Sequence, residues 1–266
     1  MLGGMVVLVA AISGAQLLTR HRIPKGLEAV LILLLALGVY ALYVRLAERR
    51  PVDELSPASV VPQLLSGLAL GFALFSIVIG VLALTGNYHF LGFASAPGLL
   101  TDFAVAAVVA VIEELLFRGF LFRVVQSIGG TWIGIAVSAI VFGALHAINP
   151  HATVVSAAAI ALEAGVLLGI AYTVTRRLWL PIGIHIGWNF TEGSIFGVSV
   201  SGHATTPGLL RGAVSGPDLL TGGAFGIEGS LLAVVVCGAA SALFIVYALR
   251  KGRIVPMPHG AKPRSR

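Results

Sequence analysis

The sequence predicts an all-α membrane protein, a polytopic bundle of about eight transmembrane helices. Of the 266 residues, 58% are hydrophobic and only 11% are charged, with a mean hydropathy of +1.00. Soluble domains carry roughly 25% charged residues. Apolar runs of about 20 residues, the length that crosses a bilayer, recur along the whole chain. We therefore expect one integral domain over residues 1–266, in contact with lipid at the cell membrane.

The apolar runs are separated by segments rich in proline, glycine and charge, which interrupt helices. The first run is short and lacks the charged leader of a secretory signal, so we interpret it as an uncleaved span. The segment at about 200–229, rich in Gly, Ser, Thr and Pro, is predicted to be irregular. In chain order the candidate spans are 2–18, 27–46, 62–85, 99–122, 131–147, 153–175, 181–199 and 230–249.

The basic charge predicts an orientation in the membrane rather than a nucleic-acid partner. The net charge is +6, and thirteen of the seventeen Lys and Arg residues fall in alternate loops or in the basic tail at 250–266. Loops enriched in Lys and Arg face the cytoplasm, which predicts a cytoplasmic C-terminal tail. Arg20, Arg22 and Lys25 oppose this pattern after the first span. The thirteen cations are Arg45, Arg49, Arg50, Arg118, Arg123, Arg176, Arg177, Arg250, Lys251, Arg253, Lys262, Arg264 and Arg266.

The fourth apolar run contains three ionisable residues, Glu113, Glu114 and Arg118. Each charge at the middle of a bilayer costs roughly 2.5–3.5 kcal/mol even on insertion-based scales, so these residues indicate a function. Glu114 and Arg118 are four residues apart, share a helix face and can form an ion pair. Glu113 points about 100° away from Glu114. We therefore interpret Glu114 and Arg118 as structural and Glu113 as free to react.

Two further runs contribute imidazole and amide groups. His146 closes the fifth run, and His185 and Asn189 lie four residues apart on one face of the seventh. Glutamate and histidine can hold and deprotonate a water molecule, directly or with a metal ion. Histidine and asparagine can stabilise an oxyanion. A carboxylate, two imidazoles and an amide from three spans therefore favour hydrolysis.

These residues resemble the motifs of the CPBP family of intramembrane proteases. The family pattern is Glu-Glu-x-x-x-Arg, then Phe-x-x-x-His, then His-x-x-x-Asn. The chain contains, in that order, Glu113-Glu114-Leu115-Leu116-Phe117-Arg118, Phe142-Gly143-Ala144-Leu145-His146 and His185-Ile186-Gly187-Trp188-Asn189. The family includes the CAAX prenyl endopeptidases and bacterial abortive-infection or bacteriocin-immunity proteins. The resemblance covers roughly residues 99–195.

The resemblance implies an intramembrane endopeptidase acting on a peptide or protein substrate, which could be lipidated. By resemblance, Glu113 and His146 activate the attacking water, and His185 and Asn189 stabilise the oxyanion. Glu114 and Arg118 occupy accessory positions of the first motif. The family is usually described as a metalloprotease, and one glutamate with two histidines is a ligand set that suits zinc. Glu113, His146 and His185 are therefore candidate ligands of a divalent metal ion such as zinc.

Two other classes of protein remain compatible with the same residues. A buried histidine is often a hydrogen-bonded packing residue, and the Glu114–Arg118 pair could simply lock helices in a non-catalytic scaffold or immunity factor. Intramembrane Glu and His also relay protons in transporters. Glu163, outside the three motifs, could bond to a neighbouring helix or face a substrate. The co-occurrence of three motifs favours the enzyme.

Overall fold

The computed structural model describes residues 2–19, 22–95, 98–205 and 208–258, and most of them are helical. Arg20 and the tail cations Lys262, Arg264 and Arg266 lie outside the described residues. The α-helices are α1 (Leu2–Thr19), α2 (Lys25–Leu46), α3 (Val60–Leu84), α4 (Leu99–Glu114), α5 (Arg123–His146), α6 (Val154–Ile160), α7 (Val166–Thr175), α8 (Trp179–Phe190), α9 (Asp218–Thr221) and α10 (Leu231–Arg250).

Wider π-helical turns extend or join several of these helices. Leu115–Phe122 connects α4 to α5, Ala161–Gly165 connects α6 to α7, and Thr191–Ile195 continues α8. α5 is broken at Gly130, where φ is 77°. A side chain there would also collide with the backbone of Val255 at 2.8 Å. This break separates the predicted fourth and fifth spans, as the sequence suggested.

Within the described ranges, four helical segments are long and apolar enough to cross a membrane: Lys25–Leu46, Asp53–Leu84, Val154–Thr175 and Leu231–Arg250. Each of the eight predicted runs coincides with helix, and the protein is a multi-pass helical membrane protein. The predicted number of about eight spans is not confirmed. α4 and α8 are short because π-helical segments follow them directly.

A small sheet corrects the all-α prediction. β1 (Tyr88–Phe93) pairs with β2 (Leu210–Val214) in an antiparallel ribbon, with a register irregularity between Phe90 and Gly92. The segment 200–229, predicted to be irregular, thus contains β2, α9 and a 3-10 turn at Ile227–Gly229. Its Gly and Thr content resembles a loop, but an aromatic strand in an earlier loop provides the partner for β2.

Glycines fix α8 against α3. A Cβ atom at Gly71 would lie 2.2 Å from the carbonyl oxygen of Ile184, and one at Gly187 would lie 2.4 Å from that of Leu68. Gly67 and Gly183 make similarly close contacts. Small residues spaced four apart let the backbones of membrane helices approach closely. His185 lies between Gly183 and Gly187 in sequence, so this contact also sets the position of its ring.

The basic loops gather at one end of the bundle. Arg123 forms ion pairs with Glu48 at 2.8 Å and Glu54 at 3.1 Å. Arg176 donates to the carbonyl oxygen of Arg253 at 2.9 Å. This clustering agrees with a common side for those loops, and the cytoplasmic orientation stays a prediction.

The charge pattern grouped Arg118 with the cations of the loops, but the structure does not place it in a loop. Its side chain is fully buried inside the bundle. An internal carboxylate holds it there, since Glu114 precedes it by one helical turn.

Candidate functional site

A cavity of about 600 Å³ opens between the helices, and the candidate catalytic residues line it. Glu113 reaches it from α4, His146 from the end of α5, and His185 and Asn189 from α8. Asp102 and Asn189, which are 87 positions apart in sequence, thus line the same cavity together with Glu113, His146 and His185. Ser201 and Glu228, from the segment that follows α8, complete another wall.

Glu114 and Arg118 form the predicted ion pair. Nη1 of Arg118 donates to Oε1 of Glu114 at 2.7 Å, and both side chains are fully buried. The guanidinium also lies over the ring of Phe142, 5.1 Å from its centroid. In a medium that excludes water, each charge of such a pair compensates the other. The pair therefore ties α4 and its π-helical continuation to the core.

Arg118 also bridges two π-helical segments. Its Nη2 donates to the carbonyl oxygens of Ala164 at 3.2 Å and Gly165 at 3.1 Å. A π-helical turn contains one residue more than an α-helical turn and breaks the regular ladder of hydrogen bonds. Arg118 thereby supplies donors to the carbonyls of the turn that carries Glu163. The three motifs do not predict this contact, because its acceptor residues lie outside the motifs.

Glu113 and His185 face each other without a direct hydrogen bond. Oε2 of Glu113 lies 3.7 Å from Nε2 of His185, and Nδ1 of His185 lies 3.2 Å from Oε1 of Glu114. Among the described residues, Oε2 of Glu113 has no hydrogen-bond partner although it is buried. A separation above 3.5 Å is too long for a hydrogen bond. Oε2 of Glu113 is thus free of hydrogen bonds within the described part of the chain, and the reactive role of Glu113 stays a prediction.

His146 is held by its own helix. Its Nδ1 lies 2.8 Å from the carbonyl oxygen of Phe142, so this nitrogen must carry the proton, because a carbonyl oxygen only accepts. Nε2 is left as the nitrogen that can accept a proton. The Phe142 ring contacts both imidazoles, with centroids 4.5 Å from His146 and 6.3 Å from His185.

The candidate zinc ligands do not converge into a metal site. Over the described ranges, no group of three or more His, Cys, Asp or Glu side chains is arranged to hold a metal ion. Glu113 approaches His185, and the Phe142 ring lies near both His146 and His185. A structural or catalytic zinc takes at least three protein ligands at about 2.0–2.3 Å. A zinc ion held by Glu113, His146 and His185 therefore stays a prediction of the resemblance.

Three further acids surround the cavity, and the motifs account for none of them. Glu163 and Glu228 line it, and Glu192 lies in the π-helical turn after α8. All three are almost fully buried. Glu228 was not singled out in the sequence, because it stands in a glycine-rich segment that indicates a loop. The only feature of the sequence that marks Glu228 is its position directly ahead of an apolar helix.

The comparison with known families agrees with the three motifs. Residues 95–191 match the family model described as type II CAAX prenyl endopeptidase Rce1-like, and the match contains all three motifs but excludes Glu192 and Glu228. No curated protein and no solved structure matches the chain. The resemblance predicted from Glu113, His146 and His185 is thus confirmed, and over residues 95–191 the chain is similar to the Rce1-like type II CAAX prenyl endopeptidases.

Proposed function

We propose that the protein is an intramembrane endopeptidase that hydrolyses a peptide bond within the bilayer or at its edge. The observation that carries this proposal is the unpaired Oε2 of Glu113, 3.7 Å from Nε2 of His185. His146 and Asn189 line the same cavity. The family match over residues 95–191 supports proteolysis, since the matching family is one of endopeptidases.

Water activation is assigned to Glu113 together with His146. Glu113 has a free carboxylate oxygen, and the Nδ1 bond of His146 leaves its Nε2 able to accept a proton. A water held at this carboxylate gives up a proton to it, and the resulting hydroxide attacks the carbonyl carbon of the scissile bond. When the carbon–nitrogen bond breaks, the same proton passes to the leaving amine. A positioned base or acid of this kind contributes about 10²–10⁴-fold to rate.

Stabilisation of the oxyanion is assigned to His185 and Asn189. His185 stands between the carboxylates of Glu113 and Glu114, and two neighbouring negative charges favour the imidazolium form. The imidazolium and the Asn189 amide can both donate hydrogen bonds to the negative oxygen of the tetrahedral intermediate. The buried Glu114–Arg118 pair keeps His185 oriented through Nδ1.

The cavity suits an extended peptide that enters from the lipid or from the membrane edge. A polar reaction needs a protein-lined space at that depth, because lipid cannot solvate exposed polar groups. The substrate class is a membrane-associated peptide or protein, with lipidation as a variable to be tested. We expect the C-terminal tail on the cytoplasmic side, because segments enriched in Lys and Arg face the cytoplasm.

Cleavage of a pooled library of lipidated and unlipidated peptides, followed by mass spectrometry, tests the proposal. The wild type is compared with Glu113→Gln and with Asp102→Asn, a matched control on the same helix and at the same cavity. Glu113→Gln is expected to lose at least about 100-fold in kcat, whereas Asp102→Asn retains cleavage. Thermal unfolding in detergent confirms that each variant is folded.

Equal cleavage by Glu113→Gln and the wild type would remove Glu113 as the base. Liposome flux that depends on pH, in the absence of any cleavage, would favour the transporter instead. A chelator arm addresses zinc: cleavage is expected to persist, given the separated ligand candidates. Loss of cleavage with chelator and recovery with added zinc would contradict water activation by the side chains alone.

A further inference from the structure

The connections between the helices lie at two opposite ends of the bundle. At one end, Arg123 pairs with Glu48 and Glu54, and Arg176 donates to the carbonyl oxygen of Arg253. We call this the basic end, and it holds the α2–α3, α4–α5 and α7–α8 connections and the segment after α10. We call the other end the ribbon end, because the pairing of β1 with β2 joins the α3–α4 connection there to the segment after α8.

Two further connections belong to the ribbon end. The backbone of Gly202, in the segment after α8, packs against Pro150, which follows α5. A Cβ atom at Gly26, near the start of α2, would lie 3.3 Å from Oγ1 of Thr101, near the start of α4. The α5–α6 and α1–α2 connections therefore lie at the same end as the β1–β2 ribbon.

The cavity that holds Glu113 is lined by connections of the ribbon end. Asn149, from the α5–α6 connection, lines it together with Ser201 and His203, from the segment after α8. His203 is exposed, and Asn149 and Ser201 are partly exposed. Over the ranges that the structure describes, no residue lining the cavity comes from a connection of the basic end. The cavity therefore opens at the ribbon end.

Packed apolar side chains close the basic end. Phe120 and Phe122, in the π-helical segment after α4, are fully buried, and so is Leu178, directly ahead of α8. These three side chains share one apolar core with Tyr172 and Ile182. A core packed as densely as a crystal leaves no room for a hydrated peptide. The substrate therefore does not reach the catalytic residues from the basic end.

The described cations outside the buried Arg118 are divided unevenly between the two ends. The ribbon end has three of them, Arg22, Lys25 and Arg211, and the basic end has nine. Because segments rich in Lys and Arg face the cytoplasm, this difference directs the ribbon end away from the cytoplasm. The nine cations of the basic end are Arg45, Arg49, Arg50, Arg123, Arg176, Arg177, Arg250, Lys251 and Arg253.

One flank of the cavity is also open toward lipid. Val105 and Val109 of α4 line the cavity and are nevertheless 41% and 38% exposed. Exposed apolar side chains on the helices of a membrane protein contact lipid tails, which are as apolar as they are. A cavity that is open both to lipid and to the ribbon end suits a polypeptide that is anchored in the bilayer and continues into water beyond that end.

We propose that the active-site cavity opens to the extracytoplasmic side and that its substrate is a membrane-anchored polypeptide, cleaved in a segment on that side. The substrate class rests on the proposed endopeptidase function, whereas the direction of the opening does not. Asn149 and His203 then face a chain that has already crossed the membrane. A cytoplasmic protein is not a substrate, because the core at the basic end separates it from Glu113.

Cysteine labelling tests the direction of the opening, because the chain has a single cysteine, the buried Cys237. In a Cys237→Ala background, His203→Cys places a thiol at the mouth of the cavity, and Lys251→Cys is the matched control at the basic end. Both positions are exposed. With a membrane-impermeant maleimide, we expect His203→Cys to be labelled only in right-side-out membrane vesicles and Lys251→Cys only in inverted ones. Thr205→Cys, a second position that lines the cavity, replaces His203→Cys if that variant does not fold.

Cleavage by sealed vesicles tests the substrate class. A library peptide that the purified protein cleaves, with a charged flank that cannot cross a bilayer, is added to vesicles of each orientation. We expect right-side-out vesicles to cleave it, and inverted vesicles to cleave it only after detergent opens them. Vesicles with Glu113→Gln, which lacks the proposed base, are expected to lose this cleavage in both orientations.

Three results are decisive against the proposal. Labelling of His203→Cys only in inverted vesicles would overturn it, and so would equal labelling of both cysteine variants from both sides. Cleavage by sealed inverted vesicles would contradict the closed basic end. If no peptide is cleaved even in detergent, the proposed function and the substrate class fail together, and the labelling still decides to which side the cavity opens.

Discussion

Two groups of buried acids flank the same cavity, and they differ in whether a basic side chain compensates their charge. Glu114 is fully buried but bonded to Arg118 at 2.7 Å and close to His185. Glu192, in the π-helical turn after α8, is equally buried, and within the described ranges no Lys or Arg forms an ion pair with it. The cost of burying a carboxylate is similar in both places. The charge of Glu114 is compensated by an arginine, whereas no arginine or lysine compensates Glu192 among the residues that the structure describes.

This difference matches the proposed division between a structural ion pair and a catalytic carboxylate within one site. The Glu114–Arg118 pair, with the bonds of Arg118 to Ala164 and Gly165, joins two helices and their π-helical turns. Glu113, which directly precedes Glu114, has no such arginine partner. Its side chain instead faces the cavity with 25% exposure. Adjacent carboxylates on a helix can therefore take different roles through direction alone.

Breaking the ion pair of Glu114 and Arg118 should have the largest effect on the free energy of unfolding. Arg118→Leu leaves the Glu114 carboxylate buried without its partner and removes the donors to Ala164 and Gly165. We expect the free energy of unfolding to fall by about 3–5 kcal/mol, the scale for a broken buried ion pair. Unfolding in mixed detergent and SDS micelles measures the loss. The double variant with Glu114→Gln should recover part of it, and an unaltered Arg118→Leu protein would contradict the scaffold role.

A smaller effect is expected where α8 packs on α3, since this contact positions His185 and Asn189. Gly187→Ala places a Cβ atom 2.4 Å from the carbonyl oxygen of Leu68. Overpacking of this kind costs about 1–3 kcal/mol, and the displaced ring should also lower cleavage. Gly80→Ala is the matched control, because no atom lies within 4 Å of its Cβ. Equal stability and cleavage in the two variants would show that the close contact does not hold the site.

The sequence predicted the helical runs and the Glu114–Arg118 pair, because both depend on local spacing. Apolar runs of span length and an i,i+4 pair of opposite charge follow directly from helix geometry. It also predicted a free Glu113, from the angle between neighbouring side chains. His146, His185 and Asn189 were selected by type and motif, and only the packed bundle brings them to one cavity.

The missed features arise from contacts between distant segments. β2 becomes a strand because β1 pairs with it. β1 begins at Tyr88, 122 residues before the start of β2 at Leu210. Glu228 stands in a loop that indicates solvent, yet the fold turns it into the cavity beside Glu163. Neither outcome can be derived from local periodicity, which reports faces of single elements and not which elements meet.

The smallest expected effect is the change in the free energy of unfolding when a buried glutamate of either group is replaced by glutamine. Glu192→Gln replaces an unpartnered buried carboxylate with a neutral amide of the same shape, so the cost of burying a charge disappears. We expect its free energy of unfolding to equal that of the wild type or to rise by up to about 1 kcal/mol. Glu114→Gln removes the charge that Arg118 needs and should be destabilising. Paired unfolding curves in detergent compare the two variants. A destabilised Glu192→Gln protein would mean that this carboxylate stabilises the fold, and the contrast between the compensated and the open group of acids would no longer hold.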